Sequence, residues 1–107
     1  MRRLIYRGEE YQLFLGYYLA GNRPCITMEQ PSRNHKVLPL TMNLAAKASV
    51  LQNRNQVFLN TPLLGFGIIG ALIEAKAGKD TGLAIFDDDG NEIPIFEFNE
   101  KFLSKLN

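Results

Sequence analysis

The sequence contains one cysteine, one histidine and no tryptophan in its 107 residues. Because Cys25 is alone, no disulfide can form within the chain, and the sequence does not fit a secreted, disulfide-stabilised scaffold. Cys25 and His35 together cannot supply the four ligands of a zinc site built from cysteine and histidine. A chain this short also has little room for an enclosed cofactor cavity. We therefore expect neither a metal nor a cofactor.

Long apolar runs are also absent. The most apolar stretch, 63–73, is interrupted by three glycines, and it falls well short of the ~20 residues that span a bilayer. Near the start, Leu4-Ile5-Tyr6 is followed by Arg7, whereas a signal peptide has an apolar region of roughly 7–15 residues there. We therefore expect a cytoplasmic protein without a membrane partner.

Candidate nucleophiles and bases lack the partners that catalysis requires. A nucleophile has to lie beside a base, and His35, close to Ser32 and Lys36 in sequence, is the only histidine. No Gly-x-Ser-x-Gly motif accompanies it. We interpret Cys25 as a small buried apolar residue on a strand and His35 as an exposed polar residue. An enzyme would need a pocket of convergent polar groups around His35, or a pair of carboxylates that meet only in three dimensions.

Two short motifs resemble ligand sites but fail in their context. Residues 87–90, Asp-Asp-Asp-Gly, suggest a calcium loop. With Gly90 at position six of an EF-hand, however, the end positions fall on Ile85 and Phe96 instead of carboxylates. A solvated hairpin tip is the favoured interpretation of residues 87–90.

Residues 65–70 have the Gly-x-Gly-x-x-Gly spacing, but no βαβ unit surrounds them, so we interpret them as part of a closely packed, glycine-rich helix.

The composition is that of one folded domain, 1–107, with 46% hydrophobic and 21% charged residues. The first 44 residues alternate apolar and polar side chains with the period of two that is typical of strands. Because Pro39 cannot donate a ladder hydrogen bond, its strand is expected at a sheet edge or a bulge. The predicted strands are 3–7, 11–19, 25–29, 38–44, 57–59, 83–86 and 92–98.

Helices are expected in the second half. Thr61 is predicted to cap a helix that has Pro62 in its first turn and ends at Gly78. Its internal glycines cost ~1 kcal/mol each relative to alanine, so either tertiary packing holds this helix or its first part is a loop. Residues 45–51 resemble one or two helical turns, and Asn99 is predicted to cap a short last helix. The sequence therefore predicts an α+β fold: one domain, mainly an antiparallel sheet of about five to seven strands, with a central and a C-terminal helix.

The charges are unevenly distributed, although the net charge is only +1. Residues 1–54 hold eight basic and three acidic residues, and residues 55–107 hold four basic and eight acidic residues. Such a chain is expected to present two faces of opposite sign, which affects how partners approach it.

Tyrosine and arginine are concentrated near the start of the chain, where strand alternation leaves some of the rings outside the core. Exposed tyrosine and arginine dominate interface hot spots, and they also stack on bases and pair with phosphates. The alternative is that the rings pack the sheet edges with their hydroxyls in water. Our candidate partner-binding residues are those of this region and of the acidic turn: Tyr6, Arg7, Tyr17, Tyr18, Arg23, Asp87, Asp88 and Asp89.

The order of these segments carries a resemblance. The residues concerned are Tyr11, Leu40-Thr41-Met42-Asn43-Leu44, Gln56-Val57-Phe58-Leu59-Asn60-Thr61, an apolar helix ending in glycine, and Ile93-Pro94-Ile95-Phe96-Glu97-Phe98-Asn99. In this order the chain resembles a family of small uncharacterised bacterial domains from mobile elements and phage-related genes. It departs from that pattern at Leu63-Leu64-Gly65, where polar residues are more usual. The resemblance implies a genomic setting, and because the family has no established activity it assigns no catalytic residues to this chain.

These observations favour a non-enzymatic binding protein over an enzyme. The first hypothesis is a phage or mobile-element protein that binds a host protein or ribonucleoprotein, for example an inhibitor of a defence nuclease in the manner of anti-CRISPR proteins. Its acidic half would meet an arginine-rich nucleic-acid channel. The alternative is a nucleic-acid-binding module that uses the basic, tyrosine-rich first half, although a net charge of +1 is low for such a domain.

Overall fold

Two four-stranded antiparallel sheets form the protein in the computed structural model, which describes residues 2–30 and 35–106. The first sheet has the order β1-β2-β3-β4, with strands Arg2–Tyr6, Glu9–Tyr17, Pro24–Gln30 and Lys36–Pro39. The second has the order β5-β6-β8-β7, with β5 Thr41–Met42, β6 Gln56–Leu59, β7 Gly78–Phe86 and β8 Glu92–Phe98. The predicted α+β class and the single domain are confirmed, whereas the predicted single sheet is wrong, because its strands divide into two.

The first sheet follows the alternation of its sequence. Ile26 and Met28 of β3 are fully buried, opposite Leu15 and Leu13 of β2. The predicted second strand reaches too far, because β2 ends at Tyr17. Residues 31–34, Pro-Ser-Arg-Asn, have the composition of a polar loop, and they lie outside the described residues.

The chain passes from one sheet to the other at Leu40. The fully buried Leu40 donates its N–H to the Ile26 carbonyl at 2.9 Å and accepts the Asn60 N–H at 2.9 Å. The predicted continuous strand 38–44 is therefore divided into β4 and β5. The expectation that Pro39 occupies an edge strand is confirmed, since β4 ends the first sheet.

The second sheet is covered on both faces, and all four residues of β6 are buried. Leu59, Phe96 and Phe98 pack into the main core. Phe58 and Ile95, which are paired neighbours, belong to a smaller core on the other face. Ala48 of a 3-10 helix, Ala45–Val50, packs against this smaller core. The helical turns predicted at 45–51 are thus confirmed.

The predicted central helix is two short helices, α1 Thr61–Leu64 and α2 Gly67–Glu74. Gly65 separates them because it adopts a φ of 82°, which a helix does not accept. Asn60, and not Thr61, is the N-cap residue of α1, and the Thr61 hydroxyl donates instead to the Glu92 carbonyl at 2.9 Å. Helix α2 contacts β1 and β7, and so closes the side of the molecule between these two edge strands.

Helix α2 ends through backbone hydrogen bonds at Lys76. Lys76 has a φ of 59°, and the N–H groups of Lys76 and Ala77 donate to the carbonyls of Ile73 and Leu72, both at 2.9 Å. This is the Schellman arrangement, in which glycine usually occupies the left-handed position. The prediction that Gly78 ends the helix is wrong, since Gly78 is the first residue of β7. The short last helix is confirmed as α3, Glu100–Leu103.

Gly78 is required by a close approach of β7 to β8. A Cβ atom at this position would lie 2.0 Å from the Glu97 carbonyl oxygen. Gly70 differs, because it is exposed within α2 and a Cβ atom there would meet nothing within 4 Å.

Alanine at these two glycines is therefore expected to have opposite effects on stability. Gly78→Ala should lower the free energy of unfolding by about 2 kcal/mol or more, because the backbone of β8 has to move. Gly70→Ala should raise it by about 0.5–1 kcal/mol, through helix propensity alone. Urea unfolding of both variants measures the two changes. Equal stabilities of Gly78→Ala and the wild type would contradict the described pairing of β7 with β8.

Candidate binding site

The structure separates the candidate residues of the first sheet into two groups. Arg7 lies in the turn before β2 and Tyr17 is the last residue of β2. Because a nine-residue strand is about 27 Å long, Arg7 and Tyr17 lie at opposite ends of the sheet. The tyrosine and arginine side chains of the first half therefore do not form one patch.

Tyr6 and Arg7 contribute to packing against α1. Tyr6 is buried, contrary to the expectation that it meets a partner, and its hydroxyl donates to the Leu64 carbonyl. The Arg7 guanidinium lies 5.0 Å from the centre of the Tyr6 ring, a cation–π distance. Tyr6 therefore holds β1 to α1 and offers little surface to another molecule.

Basic residues of the first sheet are balanced by acidic neighbours. Arg3 pairs with Glu10 at 3.1 Å, and Lys36 approaches Glu9 at 3.9 Å. Both pairs are exposed and contribute little to stability. Their effect is to reduce the positive potential that the sequence predicts for this half of the molecule.

Tyr18 supports the corner between the two sheets. Its hydroxyl lies 2.7 Å from the Thr41 hydroxyl oxygen, which also accepts the Ile26 N–H at 3.2 Å. Burial raises the pKa of Tyr18 to about 12, so the hydroxyl stays protonated over the range in which proteins function. Tyr18 therefore has a structural role.

Cys25 is half-buried, whereas a fully buried side chain was expected.

Arg23 holds the loop that connects the 3-10 helix to β6. Its guanidinium donates to the carbonyls of Asn53 and Gln56. Within the loop, the Asn55 N–H donates to the Asn53 side-chain oxygen at 2.9 Å, and the Phe98 N–H donates to the Asn55 carbonyl at 3.0 Å. These bonds fix the backbone on either side of Arg54.

Glu97 secures the same loop from β8. One of its carboxylate oxygens accepts the side-chain amides of Gln56 and Asn53, both at 3.0 Å. These hydrogen bonds, Gln56 first, lower the pKa of Glu97, and Lys79 at 3.8 Å adds a smaller effect. Buried Gln56 is satisfied at both ends, since its side-chain oxygen accepts the Gln52 N–H at 2.8 Å. The loop is thus preorganised by charge-assisted hydrogen bonds.

A groove of about 550 Å³ opens beside this loop, and we call it the Tyr17 groove. Exposed Tyr17 and exposed Arg54 lie on it, and Arg54 forms no ion pair with any residue in the described ranges. The volume of the Tyr17 groove is within the range of small-molecule sites. The groove is lined by apolar residues, Leu15, Pro24, Leu103 and Leu106, and by polar or amphipathic ones, Tyr17, Asn22, Arg54, Asn55, Glu100 and Ser104.

The predicted acidic hairpin tip is confirmed between β7 and β8, and Asp87 organises it. One Asp87 carboxylate oxygen accepts the N–H groups of Asp89 at 3.0 Å and Asn91 at 2.8 Å, and the other accepts the Asn91 side-chain amide at 3.1 Å. These bonds, chiefly from the Asn91 side chain, lower the pKa of Asp87. Gly90 supplies the positive φ, 82°, that this turn needs. Asp87 is therefore a structural residue.

Asp88 and Asp89 remain free at the tip. Both are exposed, and neither carboxylate has a hydrogen-bond or ion-pair partner within 2–30 and 35–106. Beside them lies a second groove of about 570 Å³, the tip groove. It is lined by Met42, Asn43, Leu44, Ala45, Ala46, Lys47, Asp87, Asp88 and Asp89. The tip groove combines an apolar wall with two carboxylates that have no ion-pair partner among the described residues, and Lys47 lies on the same groove.

The two grooves lie at opposite ends of β8, the tip groove near Glu92 and the Tyr17 groove near Phe98. Tyr17, Asp88 and Asp89 were among the residues predicted from the sequence, whereas Arg54 and Lys47 were not. Residues 53–55, Asn-Arg-Asn, are typical of a turn, which is consistent with an exposed Arg54. Its proximity to Tyr17 depends on tertiary contacts that no local pattern reports.

Within 2–30 and 35–106, no group of three or more histidine, cysteine, aspartate or glutamate side chains is placed to hold a metal ion. His35 is exposed in the turn before β4. No helix in the same ranges has the length and apolar character needed to cross a bilayer.

No protein-family model matches the chain, and neither curated proteins nor solved structures provide a match.

Glu97 is expected to make stability sensitive to acid. Because the pKa of Glu97 is lowered in the folded state, its contribution is present above the unfolded pKa of about 4.3 and is lost as the pH falls below it. Glu97→Gln should therefore lose less stability than the wild type between pH 5 and pH 3, measured by urea unfolding. Glu74→Gln is the control, since the Glu74 side chain is exposed and makes no hydrogen bond or ion pair with the described residues. Parallel pH profiles for the wild type and Glu97→Gln would refute this role.

Proposed function

We propose that the protein is a cytoplasmic, non-enzymatic binding protein of a phage or mobile element, and that it acts on a host macromolecule through the tip groove. The observation that supports this proposal is the pair of free carboxylates, Asp88 and Asp89, beside a groove with an apolar wall. Interfaces that combine apolar contact with complementary charge gain both specificity and association rate. The partner that fits is a positively charged protein surface with an apolar side chain at its centre.

The rigidity of the tip favours this role. Asp87 fixes the backbone of the turn through its hydrogen bonds to Asp89 and Asn91, so Asp88 and Asp89 are presented without a large loss of entropy on binding. Carboxylates in this setting resemble the phosphates of a nucleic acid in charge. Together with the resemblance to domains from mobile elements, this supports an inhibitor of a nucleic-acid-handling host protein, in the manner of anti-CRISPR proteins.

A second candidate function is nucleic-acid binding at the Tyr17 groove. It is favoured by one observation: exposed Tyr17 and unpaired Arg54 lie on the same preorganised groove. A tyrosine ring can stack on a base while an arginine pairs with a phosphate. Glu100 on the same groove weakens this candidate, because its carboxylate repels phosphate.

The tip-groove proposal predicts that neutralising Asp88 and Asp89 reduces binding. The double variant Asp88→Asn/Asp89→Asn should bind a labelled arginine-rich peptide at least about tenfold more weakly in fluorescence anisotropy, since two charge pairs are lost. It should also capture less of the host partner in a pull-down analysed by mass spectrometry. Asp87 is left intact, because its replacement would disturb the turn itself.

The matched control is Glu74→Gln/Glu100→Gln, which removes the same two charges from exposed positions outside the tip groove. It should keep wild-type affinity. If both double variants lose affinity equally, net charge and not the tip groove is responsible; if neither loses affinity, the tip groove has no role in binding.

Nucleic-acid binding makes a different prediction. Labelled single-stranded DNA or RNA should bind with an affinity that falls steeply between two salt concentrations, and Tyr17→Ala and Arg54→Ala should each weaken it by about fivefold or more. Arg7→Ala is the control, since Arg7 lies at the other end of β2. Salt-independent binding, or equal losses in all three variants, would eliminate the Tyr17 groove as a nucleic-acid site.

A further inference from the structure

A pocket of about 260 Å³ lies at the end of the first sheet, where the turn between β1 and β2 meets α1. We call it the Arg7 pocket. Its apolar part is formed by the Tyr11 ring and by Leu38, Leu63 and Leu64. None of its lining residues belongs to the Tyr17 groove or the tip groove. The Arg7 pocket is therefore a separate place on the molecule.

The Arg7 guanidinium is held at this pocket without the use of its hydrogen-bond donors. Its carbon lies 5.0 Å from the centre of the Tyr6 ring. It also packs against the backbone of Gly65, where a Cβ atom would lie 2.7 Å from one of the guanidinium nitrogens. Stacking on a ring leaves the N–H groups of a guanidinium free in its own plane. Among residues 2–30 and 35–106, no carboxylate forms an ion pair with Arg7.

The backbone of Arg7 has a conformation that arginine seldom adopts. Arg7 and Gly8 have φ values of 51° and 75°, and they connect the paired residues Tyr6 and Glu9. Two positive φ values are typical of a type I′ hairpin turn, in which asparagine, aspartate or glycine is the usual first residue. Residues in such sparsely populated conformations cluster at ligand sites, where the side chain has a task beyond the turn.

The charges of the Arg7 pocket favour a ligand with one negative charge. Lys36 also lies on the pocket, but it is 3.9 Å from one carboxylate oxygen of Glu9. The other oxygen accepts the Gln30 side-chain amide at 3.0 Å, which keeps Glu9 in place. Glu9 offsets the charge of Lys36 and would repel a dianion such as phosphate. A carboxylate suits Arg7, because it can accept two parallel hydrogen bonds from a planar guanidinium.

We propose that the Arg7 pocket binds a small monocarboxylate with an apolar body. The carboxylate pairs with the Arg7 guanidinium, and the apolar body contacts Tyr11, Leu38 and Leu63. The volume lies just below the range of about 300–1,000 Å³ that is typical of drug-sized ligands, so the ligand is a compact molecule. This site is additional to the tip groove and does not depend on the function proposed for it.

The test uses two compact acids, hydrocinnamate and isocaproate, which carry an aromatic and a branched aliphatic body. In a heteronuclear NMR titration of the full chain, at least one of them should give saturable shifts of the Arg7, Gly8 and Gly65 amides. Hydrocinnamamide has the shape of hydrocinnamate without its charge. The amide should bind at least about tenfold more weakly than the acid, since the charge-assisted pair is lost.

Arg7→Asn removes the guanidinium and retains the turn, because Asn-Gly is the favoured pair in a type I′ turn. This variant should stay folded, as checked by circular dichroism, and should bind the acid at least about tenfold more weakly than the wild type. Arg3→Asn is the matched control. It removes the same charge from an exposed residue of β1 outside the pocket, and it should keep wild-type affinity.

A second variant tests the apolar part of the pocket without touching the turn. Leu63 is 51% exposed, so the fold accepts a charge there, and Leu63→Glu should prevent binding by placing another carboxylate at the pocket. Ile73→Glu introduces the same charge at a similarly exposed residue of α2 outside the pocket. This control should bind the acid as the wild type does.

The proposal is overturned if neither acid gives saturable shifts at millimolar concentration, or if hydrocinnamamide binds as tightly as hydrocinnamate. It is also overturned if Arg7→Asn keeps wild-type affinity, or if Arg3→Asn loses as much affinity, since net charge would then be responsible. The host contact is tested with peptide, pull-down and the Asp88/Asp89 variant. Because those measurements leave the Arg7 pocket unchanged, failure of one proposal is distinguishable from failure of the other.

Discussion

The position of each sheet depends on a short set of buried hydrogen bonds around Leu40. Ile26 of β3 accepts the Leu40 N–H, and its own N–H donates to the Thr41 hydroxyl, while the Leu40 carbonyl accepts the Asn60 N–H. Backbone N–H and C=O groups from three segments that are distant in sequence, at Ile26, Leu40 and Asn60, therefore form their hydrogen bonds at one point. Since an unpaired backbone group costs about 1–3 kcal/mol when buried, the corner fixes where the first sheet ends and the second begins. Tyr18 completes it from the end of β2.

This corner also explains which parts of the fold the sequence could predict. Ile26 and Met28 could be assigned to one buried face because alternation is a local property of the sequence. The Asp89-Gly90 pair predicted the turn at 87–91 in the same local way. The alternation in 38–44 continues unchanged through Leu40, since both sheets have the same period. What changes there is the neighbouring strand, and a periodic pattern carries no information about its neighbour. The end of the central helix was predicted wrongly for a similar reason. Lys76 has the positive φ that glycine usually supplies at a helix end, whereas Gly78 is required by the close approach of the Glu97 carbonyl.

The candidate site was predictable only where a residue's role depends on its own exposure. Asp88 and Asp89 follow from the turn, and Tyr17 was selected because strand alternation leaves some of the early tyrosine rings outside the core. Tyr6 was misassigned because it is buried and its hydroxyl bonds to the Leu64 carbonyl of α1. Tyr18 was misassigned because its hydroxyl forms a hydrogen bond with the Thr41 hydroxyl. Arg54 lies near Tyr17 because Arg23, just before β3, and Glu97 of β8 hold the loop in place.

The turn held by Asp87 has a consequence for the order in which the chain folds. Strands β7 and β8 are separated only by residues 87–91, whereas β6 has to meet β8 from about 40 residues away, opposite Glu97 and Phe96. Closing a short loop costs less entropy than closing a long one, and isolated hairpins form within microseconds. We therefore expect the β7–β8 hairpin to be structured in the folding transition state, before β6 docks, with the corner at Leu40 forming late. The segment that presents the acidic tip would then also be the nucleus on which the second sheet is built.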